Sequence, residues 1–267
     1  MDPDGTCWLF LALGCALGAA LLTAFYHGAL ADWDDRLRKQ TDLTGADAAL
    51  ARLMRAPHRT EAAVLTGTLA LGFGGLLAAL AADSGDVDWS RVMVFFGDER
   101  FVPEESPDRN VGQAREALFD HVDIPESYIF PIAPSGGAYL EDPVCAADAY
   151  ADILAMHAPD GFDLHLLGMG GEGHVNSLFP HTPAIAETER TVVEVRDCPK
   201  PPPTRVSLTL PAVNASQRVW LLVAGEAKAE AVKAIADGAD PAEWPASGVR
   251  GKAETIVFVD EAAASML

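Results

Sequence analysis

The feature that most constrains the fold of this chain is a short apolar run that ends in a cluster of glycines. Residues 162–167 are mostly apolar, and the sequence Gly168-Met-Gly-Gly-Glu-Gly-His174 follows them. An apolar run of this length between glycines is typical of a strand buried on both faces of a parallel sheet. In such sheets ligands gather at the carboxyl ends of the strands. The stretch therefore predicts an α/β fold with a functional site at this turn.

The rest of the chain alternates between strand and helix patterns. Apolar runs predict further strands at residues 92–96, 191–195, 206–210, 218–223 and 255–259, and helical patterns occur at 109–122, 143–157 and 227–237. Alternation of this kind requires crossover helices and a mainly parallel sheet. We therefore expect a doubly wound, mainly parallel sheet flanked by helices, with an apolar N-terminal extension in front of it.

The glycine turn carries an acid and a base. Glu172 and His174 lie two residues apart, so the carboxylate can orient an imidazole that titrates near neutral pH. Two other interpretations exist. The spacing Gly168-x-Gly170-x-x-Gly173 matches a dinucleotide-binding pattern, but that pattern needs a full helix, and Pro180 ends the segment after at most two turns. Alternatively, His174 only caps or packs. Its glycine-rich surroundings favour a catalytic role.

A second charged group follows the strand predicted at residues 92–96. Asp98, Glu99 and Arg100 are consecutive charges directly after Gly97. A charge run is often only a solvated loop. At the carboxyl end of a parallel strand, however, the same residues are placed where an active site forms.

Five ordered motifs resemble the 6-phosphogluconolactonase family. They are Gly97-Asp-Glu-Arg-Phe-Val-Pro103, Ser106-Pro-Asp-Arg-Asn110, Leu167 to His174 with Ser177-Leu-Phe-Pro180, Pro199 to Thr209, and Ala224-Gly-Glu-Ala-Lys228. The likeness runs from about Val64 to the C-terminus. It implies a fold shared with glucosamine-6-phosphate deaminases and hydrolysis of 6-phospho-D-glucono-1,5-lactone to 6-phospho-D-gluconate in the oxidative pentose phosphate pathway. It also implies a small sugar-phosphate lactone as the only ligand, without a cofactor or metal.

The residues fit that reaction chemically. A δ-lactone is an activated ester, so a positioned water and one general base can open it. We expect His174 to be the base and either Glu172 or Asp98 to hold the imidazole, a division that the sequence leaves open. Arg100 is the nearest cation for the developing oxyanion or the substrate hydroxyls.

The substrate phosphate needs positive charge, and the matching motifs supply Lys200, Arg205 and Lys228. Each could instead be an ordinary surface residue. Asn110 matches the family as well, but it could equally be a helix N-cap, so we do not assign it to the site.

The phosphate loop expected after the first strand departs from the family pattern. Thr66-Gly67-Thr68 stands where the family has Thr-Gly-Gly, so Thr68 replaces the second glycine, and about two residues are extra. Either the glycines at 72, 74 and 75 rebuild an anion-binding nest in a shifted register, or the site is damaged. Two alternative functions follow: a glucosamine-6-phosphate deaminase-like isomerase, and a catalytically degraded sugar-phosphate-binding protein.

Composition bounds the partners and the location. The 267 residues divide into an extension and linker at 1–45 and a catalytic domain at 46–267, and a net charge of −20 argues against nucleic acid as a partner. The four scattered cysteines are expected to be free thiols of a cytoplasmic protein. Only residues 7–26 are apolar enough to contact a membrane, either as a tether to its inner face or as a buried or misassigned extension. A monomer and a homodimer are both compatible with the sequence.

Overall fold

The computed structural model describes residues 6–11, 61–65, 71–82, 87–139 and 142–267. In these residues the strands are β1 (Thr6–Leu11), β2 (Glu61–Leu65), β3 (Val92–Phe96), β4 (Asp98–Arg100), β5 (Ile129–Phe130), β6 (Leu164–Gly168), β7 (Val192–Val195), β8 (Arg205–Leu208), β9 (Arg218–Val223) and β10 (Glu254–Asp260). The α-helices are α1 (Leu71–Ala82), α2 (Asn110–Ala117), α3 (Pro143–His157), α4 (Leu210–Asn214) and α5 (Ala229–Ala236).

Seven strands form the main sheet in the order β1-β10-β9-β6-β2-β3-β5, and every neighbouring pair is parallel. The predicted doubly wound, mainly parallel α/β architecture is therefore confirmed. Strand order reverses around β2 and β6, so the carboxyl ends of central strands open onto one edge of the sheet. This edge is where the loop after β3 and the glycine turn after β6 lie.

A second, smaller sheet was not expected from the sequence. Strands β4, β8 and β7 pair antiparallel, with Asp98 opposite Ser207 and Arg100 opposite Arg205. The expectation that the segments at 191–195 and 206–210 join the parallel sheet is wrong. The predicted strand at 206–210 also ends earlier, because Thr209 caps helix α4 by accepting a hydrogen bond from Ala212 N.

Two apolar clusters hold the layers together. One includes Phe95, Phe96 and Tyr150, and the other includes Leu167 and Val219. Tyr150 on α3 hydrogen-bonds the backbone of Phe96 on β3, so the helix is fixed to the end of the strand that precedes the site. His165, in the middle of β6, is fully buried against Phe162, as expected for a core histidine.

The N-terminal apolar segment is described only in part. Residues Thr6–Leu11 form β1, which pairs with β10 at one edge of the main sheet. The remainder of the proposed tether lies outside the described residues. So does the segment 46–55, whose sequence pattern predicts a short amphipathic helix. No helix in the described part of the chain is both long and apolar enough to cross a membrane. The domain boundary, the cytoplasmic location and the oligomeric state stay predictions.

Candidate active site

The glycine turn after β6 is built tightly around its own histidine. A Cβ on Gly170 would overlap His174 Nδ1 and lie 2.7 Å from Glu172 Oε2, so glycine is required there. Gly170 N donates to the carbonyl of His174 at 2.9 Å, and Gly173 has a φ of +76°. No helix follows, and Val175 pairs with Leu178 across a tight turn instead. The full helix that the dinucleotide-binding pattern needs does not follow this turn.

His174 lies in a mostly dry pocket between an aromatic ring and a carboxylate. Its imidazole stacks on Phe179 with ring centroids 4.3 Å apart, and its side chain is only 12% exposed. Nδ1 is 3.3 Å from Glu172 Oε1, an electrostatic contact rather than an aligned hydrogen bond. Burial, followed by the charge of Lys200, lowers the pKa of His174 to about 4, against the opposing charges of Glu172 and Asp98. The imidazole is therefore neutral at neutral pH and able to accept a proton.

Glu172 is held from its other side by Lys200. Lys200 Nζ lies 2.8 Å from Oε1 and 3.1 Å from Oε2 of this carboxylate. Burial by itself raises the pKa of Glu172, but the hydrogen bond from Lys200 and the charges of His174 and Lys200 outweigh it and lower the pKa to about 2. Glu172 is thus ionised at neutral pH, between the Lys200 ammonium group and the His174 imidazole.

Lys228 is part of the same charge cluster. Burial and the charge of Lys200 lower the pKa of Lys228, while Glu172 opposes the shift. Lys228 closes a single-turn 3₁₀ helix directly before α5, and Gly225 starts it with a φ of +94°. The structure therefore brings Lys200 and Lys228, two of the three predicted phosphate ligands, to one side of Glu172.

Asp98 is fully enclosed in the protein, and its charge also acts on His174. All three residues of β4 are buried, so the alternative of a solvated charge loop is wrong. Asp98 Oδ2 accepts a hydrogen bond from Ser177 Oγ at 2.7 Å, and Asn110 Nδ2 donates to the Asp98 carbonyl at 2.8 Å. The charge of Asp98 raises the pKa of His174, although less than that of Glu172.

Glu99 points away from this cluster because successive residues of a strand face opposite sides. Its carboxylate accepts hydrogen bonds from the backbone N–H groups of Asn110 and Val111 at the start of α2. Burial raises the pKa of Glu99, and Arg109, 3.9 Å away, opposes that shift. Glu99 therefore anchors the first turn of α2 rather than the substrate pocket.

The structure shows Arg100 bonded mainly within the protein. Its Nη1 donates to the Asp108 carbonyl at 2.8 Å and to Asn110 Oδ1 at 2.5 Å. The interpretation of Asn110 as an N-cap is wrong, because Arg109 is the cap residue and the Asn110 side chain bonds Asp98 and Arg100 instead. Arg100 as a substrate ligand stays a prediction.

Arg205 is buried and serves the neighbouring loop. Its guanidinium donates to the carbonyls of Lys200, Pro201 and Pro202, at 2.9, 3.3 and 3.1 Å. It also lies 4.0 Å from Asp98 Oδ2. These bonds fix the loop that carries Lys200, and Arg205 as a phosphate ligand stays a prediction. The remaining predicted site residues, Gly67 and Thr68, lie outside the described residues.

Sequence reasoning missed three residues of this site. Ser177 and Asn110 bond Asp98, and Phe179 stacks on His174. All three belong to the motifs that carried the family resemblance, which was the available signal. In the described residues no cluster of three or more His, Cys, Asp or Glu side chains could hold a metal ion. Cys145 and Cys198 are free thiols.

A neutral, buried histidine between two carboxylates, with lysines beside it at the carboxyl edge of a doubly wound sheet, defines an enzyme site for an anionic small molecule. The family model described as glucosamine-6-phosphate isomerases/6-phosphogluconolactonase matches residues 44–258. The chain belongs to this family.

Similar proteins point to one branch of it. The chain is 51% identical over 197 residues to the 6-phosphogluconolactonase of Mycobacterium tuberculosis, covering 72% of this chain and 80% of that protein. It is 47% identical over 237 residues to the 6-phosphogluconolactonase of Streptomyces coelicolor, covering 83% and 90%. The solved structure of 6-phosphogluconolactonase from Thermotoga maritima superposes with a TM-score of 0.72 at 25% identity, covering 96% and 99% of the two chains.

Proposed function

We propose that this chain hydrolyses 6-phospho-D-glucono-1,5-lactone to 6-phospho-D-gluconate, with His174 as the general base. The observation that carries the proposal is the buried, neutral imidazole held against Glu172, in a chain that is 51% identical to a 6-phosphogluconolactonase. The reaction is the second step of the oxidative pentose phosphate pathway.

The mechanism follows from the orientation of the imidazole. Because Nδ1 faces Glu172, Nε2 is the nitrogen that accepts a proton from water. The water oxygen bonds to C1 of the lactone and forms a tetrahedral intermediate. Collapse of this intermediate breaks the bond between C1 and the ring oxygen, which takes the proton back from His174. Glu172 and Asp98 stabilise the imidazolium that exists between these two steps.

The phosphate end of the substrate is assigned to the lysines. Lys200 is half exposed and Lys228 is half buried, and the ammonium groups of both interact electrostatically with Glu172. A phosphate bound by these two lysines therefore lies next to the base. Arg205 is assigned to positioning the loop of Lys200, since three backbone carbonyls already engage its guanidinium. We retain Gly67 and Thr68 as a predicted part of the phosphate site.

Replacement of the base tests the proposal. His174→Gln should lower kcat for freshly generated 6-phosphogluconolactone by about 10²-fold or more, the usual contribution of a general base. His181→Gln is a matched control, because His181 also lies 3.3 Å from a glutamate but is on the surface. Initial rates must be corrected for spontaneous ring opening. Turnover of glucosamine 6-phosphate but not of the lactone would instead support the isomerase alternative, and binding without turnover would support the degraded binder.

A further inference from the structure

The carboxylate of Glu172 contacts two partners, of which Lys200 is half exposed and His174 is mostly buried. Glu172 Oε1 lies 2.8 Å from Lys200 Nζ and 3.3 Å from His174 Nδ1. The Lys200 side chain is 48% exposed, whereas that of His174 is 12% exposed. The lysine is therefore the partner that can leave, while the histidine is held by its packing on Phe179.

Only the end of Lys200 is free to move. Arg205 Nη2 donates to the Lys200 carbonyl at 2.9 Å, so the backbone of the loop is fixed. The flexible four-carbon stem still lets the ammonium group move from one acceptor to another. A lysine ammonium is a point charge and, unlike the planar guanidinium of arginine, does not depend on one fixed arrangement of acceptors. An exposed ion pair such as Lys200–Glu172 contributes only about 0–1 kcal/mol, so a stronger acceptor can replace Glu172.

The cluster around Glu172 carries an excess of positive charge. Lys200 and Lys228 both act on Glu172, and His174 is neutral at neutral pH. One carboxylate thus lies within electrostatic range of two ammonium groups, and burial, followed by the charge of Lys200, lowers the pKa of Lys228. A dianionic phosphate compensates this excess and offers Lys200 a more highly charged partner than Glu172.

We propose, resting on the lactone hydrolysis proposed above, that Lys200 is a positioning residue that changes partner during the reaction. In the free enzyme it binds Glu172, and the phosphate of the bound substrate draws it away, so that Glu172 pairs with His174 alone. The base is then strengthened only when the substrate carries its phosphate. Recognition of the phosphate and activation of water are thereby coupled through a single lysine.

The direction of the effect follows from the charges around His174. Among the described residues, the charged groups that act on His174 are Lys200, Glu172 and Asp98. Lys200 lowers the pKa of His174, whereas the two carboxylates raise it. Burial of the imidazole lowers the pKa most and remains, but departure of Lys200 removes the second lowering cause, so the pKa rises above about 4. A general base is most effective when its pKa is near the working pH.

Kinetics as a function of pH test the partner change. The acid limb of the pH profile of kcat/KM gives the pKa of the base in the free enzyme, and the acid limb of kcat gives its pKa in the enzyme–substrate complex. For the phosphorylated lactone, the kcat limb should lie about one pH unit above the kcat/KM limb, as for a charge at contact distance. For glucono-1,5-lactone without phosphate, the two limbs should coincide. In Lys200→Met the limbs should coincide for both substrates, with the kcat/KM limb raised, while Lys200→Arg should preserve the difference.

Lys233→Met is the matched control, since Lys233 is 46% exposed and pairs with Asp237 at 2.9 Å, away from the site. It should leave both limbs unchanged. Coinciding limbs for the phosphorylated lactone in the unaltered enzyme would overturn the proposal. So would a Lys200→Met enzyme whose limbs remain separated.

A second readout does not depend on turnover. NMR titration of the His174 imidazole, assigned by its loss in His174→Gln, should give a higher midpoint in the presence of inorganic phosphate. Lys200→Met should give a raised midpoint without phosphate and no further response. An equal response in both proteins would mean that phosphate acts by its own charge and would overturn the proposal. A phosphate-dependent midpoint without lactone turnover would overturn the proposed function instead.

Discussion

The charges of two carboxylates act on His174, the proposed base, and the surroundings of these carboxylates differ. Asp98 is 3% exposed, and the neutral side chains of Ser177 and Asn110 bond it. Glu172 is 37% exposed, and its main partner is the charged, half-exposed Lys200. The first carboxylate is fixed in the protein interior. The second is held by an ion pair that solvent and ligands can reach.

The difference implies a division of labour that the sequence left open. A hydrogen bond to a buried charged group contributes about 1.5–3 kcal/mol, and breaking it leaves a charge without a partner. An exposed ion pair contributes about 0–1 kcal/mol. Asp98 therefore supplies a constant negative charge and joins β4 to the turn after β6. Glu172 supplies a charge whose effect on His174 depends on where Lys200 is.

The largest effect is expected from adding a methyl group between Glu172 and His174. In Gly170→Ala the new Cβ overlaps His174 Nδ1, so the imidazole must leave its present position. A displacement of about 1 Å can lower kcat about 10²-fold. Gly112→Ala on α2 is the control, since a Cβ there meets no atom within 4 Å, and it should leave kcat unchanged. Full activity of Gly170→Ala would show that the turn does not constrain the base.

A smaller effect on kcat is expected from a change beside Asp98, the buried carboxylate. Ser177→Ala removes the hydroxyl that bonds Asp98, and we expect kcat to fall about tenfold, equivalent to about 1.4 kcal/mol. Ser207→Ala is matched in burial, but its hydroxyl bonds only the backbone of Ser177 and Leu208. Both variants should lose about 1–3 kcal/mol in urea unfolding. Equal kcat losses would mean that the Asp98–Ser177 bond is purely structural.

The local elements of the fold could be predicted from the sequence. Strands β3 and β9 and helix α3 have the predicted bounds, because their apolar patterns end at clear boundaries. The helix expected at 109–122 is shorter, since Leu118 leaves helical geometry with φ −141° and a 3₁₀ turn follows. The antiparallel pairing of β4 with β8 could not be predicted, because the sequence of a fully buried strand does not indicate which strand lies beside it.

The separation of contacting residues in the sequence explains which part of the site could be predicted. Glu172 and His174 are neighbours in sequence, so their contact follows from the turn itself. Asp98 and Ser177 are 79 residues apart, and only the folded sheet brings them together. Arg205 was predicted as a phosphate ligand from its charge and its family motif, and the carbonyls that its guanidinium bonds are visible only in three dimensions.

The smallest effect compares the two carboxylates directly. Both raise the pKa of His174, Glu172 more than Asp98, so removing either charge should lower this pKa further. The acid limb of kcat/KM should then move to lower pH, by up to about one pH unit in Glu172→Gln and by less in Asp98→Asn. Glu243→Gln is the control, because Glu243 pairs with His181 at 3.3 Å on the surface and should leave the limb in place. A larger displacement in Asp98→Asn would make the fixed carboxylate the principal partner of the base, and the accessible ion pair would lose its assigned role.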